Sequence, residues 1–155
     1  MTEAVKKWTC DIKRLCTNYK PATVLALIAV ESAGDDKAHR PLSQFYGLLQ
    51  MGRYAGIDVG FRDEGRHTTK ALNGNGVLAI EKWHRYAEKY RARHRDEPER
   101  IALLWKAGPG YLKHVNEQEE AGICWDGALH SAKEKYGFSA KEYLRRFEKF
   151  QEEYE

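Results

Sequence analysis

Seven consecutive apolar residues, Val24 to Val30, run directly into a carboxylate, Glu31. Pro21, just upstream, suits a first helical turn, where its missing N–H leaves no bond unmade. Gly34-Asp35-Asp36 supplies the stop. A helix apolar on every side must be buried, so the chain has to fold around this segment. A charge at the end of such a helix is costly unless it is paired, neutral or facing a cleft. Apolar surroundings keep a carboxylic acid protonated near neutral pH, the state a general acid needs. Taken alone, Glu31 also reads as a solvated helix cap, and Ser32 as a residue that helps end the helix.

Three- and four-residue steps dominate elsewhere. Val5, Trp8, Ile12, Leu15, Cys16 and Tyr19 predict one amphipathic helix. Pro41 to Gly60 reads as a loop rich in large apolar side chains, packed over a cleft. Phe61 to Lys70 reads as an exposed polar excursion. Asn73-Gly74-Asn75-Gly76 is a turn, after which Ile80, Trp83, Ala87 and Tyr90 are again helical. Pro98 marks a break, Ile101 to Lys106 a short apolar helix, and Gly108-Pro109-Gly110 its end. Tyr143, Leu144, Phe147, Phe150 and Tyr154 form a final stripe. No segment alternates as a strand would, and none repeats. The expectation is an all-α domain of about six to eight helices occupying residues 1–155.

The 155 residues suffice for one domain with a core. Four Trp, nine Tyr and five Phe argue against disorder. A net charge of +3 is far from the dense basic stripe of a nucleic-acid binder, and the basic run Arg85–Arg95 reads as a solvated helix face. No apolar run nears the roughly 20 residues of a membrane helix, and the N-terminus lacks the apolar core of a secretory signal. The three cysteines, Cys10, Cys16 and Cys124, are odd in number and lack CxxC spacing. They read as buried or free thiols rather than a disulfide framework. The six histidines show no paired-ligand spacing, so no metal and no cofactor is expected.

Four blocks in order carry a resemblance. Glu31-Ser32 after the apolar helix, then Gly47-Leu48-Leu49-Gln50-Met51, resemble the ES and GLMQ motifs of soluble lytic transglycosylases. Leu104-Trp105-Lys106-Ala107-Gly108-Pro109-Gly110 resembles that family's AYNAGPG motif, and Glu142-Tyr143-Leu144 its ET-x-x-YV segment. The chain departs from the pattern in places. The interval from Glu31 to Gln50 is about one residue longer than usual, Phe45-Tyr46 replaces Gly-Ala, Trp105 stands for Tyr, and Lys106 stands for the Asn expected to contact sugar.

The resemblance implies a lysozyme-like helical domain with a substrate cleft. The implied substrate is the glycan strand of bacterial peptidoglycan, cut at the β-1,4 link from N-acetylmuramic acid to N-acetylglucosamine. Glu31 would protonate the leaving oxygen, then take the proton from the muramic C6 hydroxyl as it attacks C1. The product is a 1,6-anhydro ring and no water is consumed. Ser32 would offer a hydroxyl, Gln50 both an amide donor and an acceptor, and Met51 an adaptable apolar wall. Trp105 would stack on a pyranose, Lys106 would sit where the sugar-contacting Asn is expected, Tyr143 would hold Glu31 or its substrate, and Gly47 and Gly108 would let backbone approach the sugar closely. Met51, Trp105 and Tyr143 equally match core spacing.

A hydrolytic muramidase on the same fold needs a second carboxylate, about 5 to 9.5 Å from the first. Asp35, Asp36, Asp58, Asp63 and Glu64 are the candidates. A non-enzymatic module binding peptidoglycan or nucleic acid is the reading from another class. On the preferred reading the partner is peptidoglycan, without nucleic acid or membrane insertion, and the protein is a monomer. It would be made in a cytoplasm and act on the cell wall, as a phage endolysin or virion component does. A secretion-system enzyme is the alternative, should a leader have been removed.

Overall fold

Among the described residues helices alone carry the architecture, and the fold class is all-α. The computed structural model describes residues 1–64 and 67–155, so Gly65 and Arg66 of the expected polar excursion lie outside the described residues. Among the described residues are ten α-helices: α1 (Glu3–Lys6), α2 (Thr9–Leu15), α3 (Pro21–Ser32), α4 (Arg53–Asp58), α5 (Gly76–Lys89), α6 (Arg91–His94), α7 (Pro98–Ala107), α8 (Pro109–Glu120), α9 (Trp125–Tyr136) and α10 (Lys141–Tyr154). A 3-10 helix covers Thr69–Leu72, and a lone antiparallel bridge joins Tyr46 to Met51. The helices outnumber the expected six to eight because four of them have seven residues or fewer. The chain divides into two compact units, Met1–Lys89 with Phe150–Glu155, and Tyr90–Lys149.

In the first unit α3 is the central element. Pro21 occupies its first turn, and every residue from Ala22 to Val30 is buried. Ala33 closes it in the left-handed conformation at φ 53°, followed by Gly34 at φ 91°. Helices α1 and α2 pack on α3, and α2 also packs on α5. The single helix expected over Val5–Tyr19 is in fact two helices and a turn. The Trp8 N–H bonds Val5 O at 3.2 Å, a three-residue step that tightens the chain between α1 and α2. The Trp8 indole N–H donates to Gly34 O at 3.1 Å, and its ring lies where a Cβ on Gly76 would have to go. This tertiary demand on Trp8 overrides the helical period. Most of the expected buried set survives the break: Val5, Trp8, Ile12, Cys16 and Tyr19 are buried and Leu15 is half-buried, although Tyr19 lies beyond α2.

The expected loop over Pro41–Gly60 contains α4. That helix starts at Gly52 without a side-chain cap and carries Gly56 at its centre. Gly56 is buried against the Thr69 methyl. Such a segment has little intrinsic helix preference and no apolar period to betray it. The Asn73–Gly76 turn is present, with Gly74 at φ 77°. Asn75 accepts the Leu78 N–H at 3.2 Å and so starts α5. Ala79, Ile80, Trp83, Tyr86 and Ala87 form its buried stripe.

In the second unit, Pro98 opens α7 and Gly108 separates α7 from α8. Gly108 has φ 90° and ψ 171°, a region essentially reserved for glycine. Helix α8 packs on α7 and α9. Arg100, 8 % exposed, donates to Asn116 Oδ1 at 2.7 Å and Glu119 Oε1 at 2.6 Å and is paired with Glu97. Asn116 passes the network to Arg93 O at 2.9 Å. The basic run is largely engaged in local contacts: Arg91 grips Asp96, Arg93 donates to Pro109 O, and Arg95 pairs with Glu120. Tyr143, Leu144 and Phe147 of α10 are buried, while Phe150 and Tyr154 are half-buried.

Candidate active site

Glu31 lies in the last turn of α3, half-buried, directly after nine wholly buried residues. The packing of α3 therefore fixes its backbone. Ser32 follows, and its hydroxyl donates to Ile28 O at 3.2 Å while accepting the Gly34 N–H at 3.2 Å. The hydroxyl hydrogen is thus used in ending the helix, and only acceptor capacity remains for a ligand.

The chain then returns through a tight turn, Tyr46–Met51. Its ends are bridged by the Tyr46 N–H to Met51 O bond at 3.4 Å. Two bonds tie the turn to the segment that leaves α3: Gly47 N–H to Ala38 O at 3.0 Å, and Gln50 Nε2 to the same oxygen at 2.6 Å. Gln50 Nε2 also donates to Gly47 O at 2.8 Å. Both amide hydrogens are therefore committed, and the donor expected from the sequence is not on offer. The Gln50 carbonyl oxygen accepts no hydrogen bond among the described residues, which leaves an acceptor held in a fixed orientation. Gly47 is buried at φ 82°, and a Cβ there would come within 2.7 Å of Leu72 O. Its role is thus close approach of backbone to backbone. Met51, 1 % exposed, is a core side chain, the duller of its two readings.

Trp105, Lys106 and Tyr143 belong to the second unit. Trp105 is half-buried and Tyr143 is buried, while Lys106 is exposed with its ammonium 5.6 Å from the Tyr143 ring centre. The structure thus gathers Gly47, Gln50 and Met51 in one turn tied to Ala38, places Glu31 and Ser32 in the last turn of α3, and pairs Lys106 with Tyr143 in the second unit.

The candidate second carboxylates are mostly engaged. Asp35 accepts the Lys37 N–H at 2.9 Å, Asp58 meets Lys89 at 2.9 Å, and Asp63 meets Arg53 at 2.7 Å. Sequence reasoning missed two contributors. Ala38 supplies the carbonyl that locks the turn, and a backbone acceptor has no sequence signature. His39 stacks on Tyr46 at 4.2 Å, nearly parallel. A pocket of about 310 Å³ lies in the first unit, walled by Tyr46, by Arg62 to Glu64 and by Thr68 to Lys70. Asp63 and Glu64, named from sequence as candidate second carboxylates, line it, and Tyr46 is common to the pocket and the turn, whereas Glu31, Ser32, Gly47, Gln50 and Met51 are not among its lining residues. Among the described residues no group of three His, Cys, Asp or Glu is arranged to hold a metal ion, and no helix is long and apolar enough to cross a membrane.

Comparison with known proteins finds no matching family model, no matching curated protein and no matching solved structure. The protein is all-α, and its buried helix α3 carries a half-buried glutamate, Glu31, in the last turn.

Proposed function

We propose that the protein is a peptidoglycan lytic transglycosylase with Glu31 as its single catalytic carboxylate. The observation that carries the reading is the position of Glu31, half-buried at the C-terminal end of a helix whose preceding nine residues are all buried. A general acid in this role must hold its proton until the glycosidic bond breaks. A protonated Glu31 gives its proton to the glycosidic oxygen as the bond to muramic C1 breaks. The resulting carboxylate takes the proton of the C6 hydroxyl as that oxygen bonds to C1. Protons balance and no water enters. The Gln50 carbonyl oxygen fits an acetamido N–H or a sugar hydroxyl. Its locked amide keeps the acceptor preorganised, so little ordering remains to be done on binding.

Lysis of permeabilised Gram-negative cells tests this. The parent protein clears the suspension, and Glu31→Gln, nearly isosteric but unable to donate and regain a proton, slows clearing by at least about a hundredfold. Equal clearing by the two removes Glu31 from the chemistry. Binding to cell walls without clearing by either protein makes the chain a wall-binding module.

A further inference from the structure

The pocket beside Tyr46 has a composition that a neutral sugar does not require. Arg53 and Asp63 within its wall neutralise each other at 2.7 Å. Arg62, Lys70 and Glu64 also line it and have no side-chain ion pair or hydrogen bond among the described residues. Thr69 is 5 % exposed, with its methyl directed at Gly56 and no hydrogen bond to its hydroxyl among the described residues. Among the described residues the unpaired charge in the wall is therefore two cations against one carboxylate, an excess that attracts an anionic ligand while keeping a place for an ammonium. A volume of about 310 Å³ stands at the small end of ligand sites, large enough for a short peptide and too small for a glycan strand. The pocket shares Tyr46 with the turn that carries Gln50.

We propose that this pocket binds the acidic stem peptide carried on the lactyl group of the muramic acid residue. The peptide's carboxylates would meet Arg62 and Lys70, and its free amine would meet Glu64. The inference rests on the reading of peptidoglycan as substrate, and it makes the enzyme selective for strands that still bear peptides. Arg62, Lys70 and Glu64 are exposed, so their replacement leaves the packing intact.

Two measurements test it with the full chain. The first compares kcat/KM on peptide-bearing strands and on strands stripped of peptides by an amidase. The parent protein is expected to favour the peptide-bearing strands at least fivefold. The double variant Arg62→Gln/Lys70→Gln is expected to lose that preference while acting normally on stripped strands. The second is calorimetric titration of the isolated stem tripeptide, which is acidic and has a free amine. The double variant weakens its binding about tenfold or more, and higher salt weakens binding to the parent. With the α-amine acetylated to stand for the link to the lactyl group, Glu64→Gln weakens binding of the peptide whose side-chain amine is free and leaves the form acetylated there as well unchanged.

Cleavage with no preference for peptide-bearing strands and no peptide binding overturns the pocket's role and leaves Glu31 standing. Peptide binding that the double variant abolishes, in a protein that cleaves neither strand, supports the pocket and overturns the catalytic reading. Equal losses by the double variant on both strands assign Arg62 and Lys70 to the glycan and overturn the inference.

Discussion

Gly47 and Gly137 form a matched pair that separates backbone strain from steric collision. Both have φ 82°. A Cβ at Gly137 meets nothing within 4 Å, whereas one at Gly47 comes within 2.7 Å of Leu72 O and 3.2 Å of its carbonyl carbon. Gly137→Ala therefore carries only the left-handed backbone penalty, about 1 kcal/mol. Gly47→Ala carries the same penalty plus displacement of packed backbone, for which overpacking costs of about 1–3 kcal/mol are the guide, so the total is about 2–4 kcal/mol. In thermal unfolding, at about 2–4 °C per kcal/mol for a chain of this length, Gly137→Ala lowers Tm by about 3 °C and Gly47→Ala by about 5–15 °C. Urea titration gives the same order through the midpoints. Gly47→Ala also shifts the carbonyl that receives the Gln50 amide, so lytic activity falls in that variant and not in Gly137→Ala. Equal stability losses, within about 0.5 kcal/mol, would refute the claim that the Leu72 contact fixes the turn.

Three further outcomes follow from the interior. Arg100→Met leaves Asn116 and Glu119 without their donor and costs about 2–3 kcal/mol by urea unfolding, less than a fully buried pair because Glu119 and Glu97 are still 27 % and 43 % exposed. Adding Glu119→Leu recovers part of that loss. The Cys16 thiol is pushed up to about 12 by burial first and by Glu88 second. The unfolded chain therefore loses this proton near pH 9 while the folded chain keeps it, and stability falls as pH rises from 9 towards 12. Between pH 9 and 10 the parent loses about 1 kcal/mol more than Cys16→Ala, read by urea unfolding at each pH. In the folded protein, Cys10 and Cys124, both exposed, react with a thiol reagent while Cys16 does not.

Much of this arrangement was legible in the sequence where local and tertiary demands agree. The run Val24–Val30 has no polar face, and a helix without one has nowhere to go but the interior, which is where α3 lies. The turn before α5 was legible because Asn75 and Gly74 supply the cap and the positive φ that the geometry needs. Other features depend on contacts distant along the chain. The break at Trp8 answers a hydrogen bond to Gly34 O, 26 residues away. Helix α4 is held by the close approach of Gly56 to Thr69, not by its own residues. At the candidate site, the importance of Gly47 was legible as a glycine, but its neighbour Leu72 was not. The consumption of the Gln50 donors by Ala38 O and Gly47 O is likewise a property of the folded turn. The basic run Arg85–Arg95 read as a solvated face, and Arg85, Arg91 and Arg95 do reach solvent; what sequence does not reveal is that Asp96, Pro109 O and Glu120 engage Arg91, Arg93 and Arg95 there.

The central claim is that Glu31 alone donates and recovers one proton, with the substrate's own hydroxyl as nucleophile. Mass spectrometry of purified peptidoglycan digested in water enriched in heavy oxygen tests it most directly. The account predicts muropeptides with anhydromuramic ends, lighter than the hydrolysed form by one water and free of the label, and their disappearance with Glu31→Gln. Reducing muramic ends that carry heavy oxygen would contradict it and make the protein a hydrolase that uses a second carboxylate.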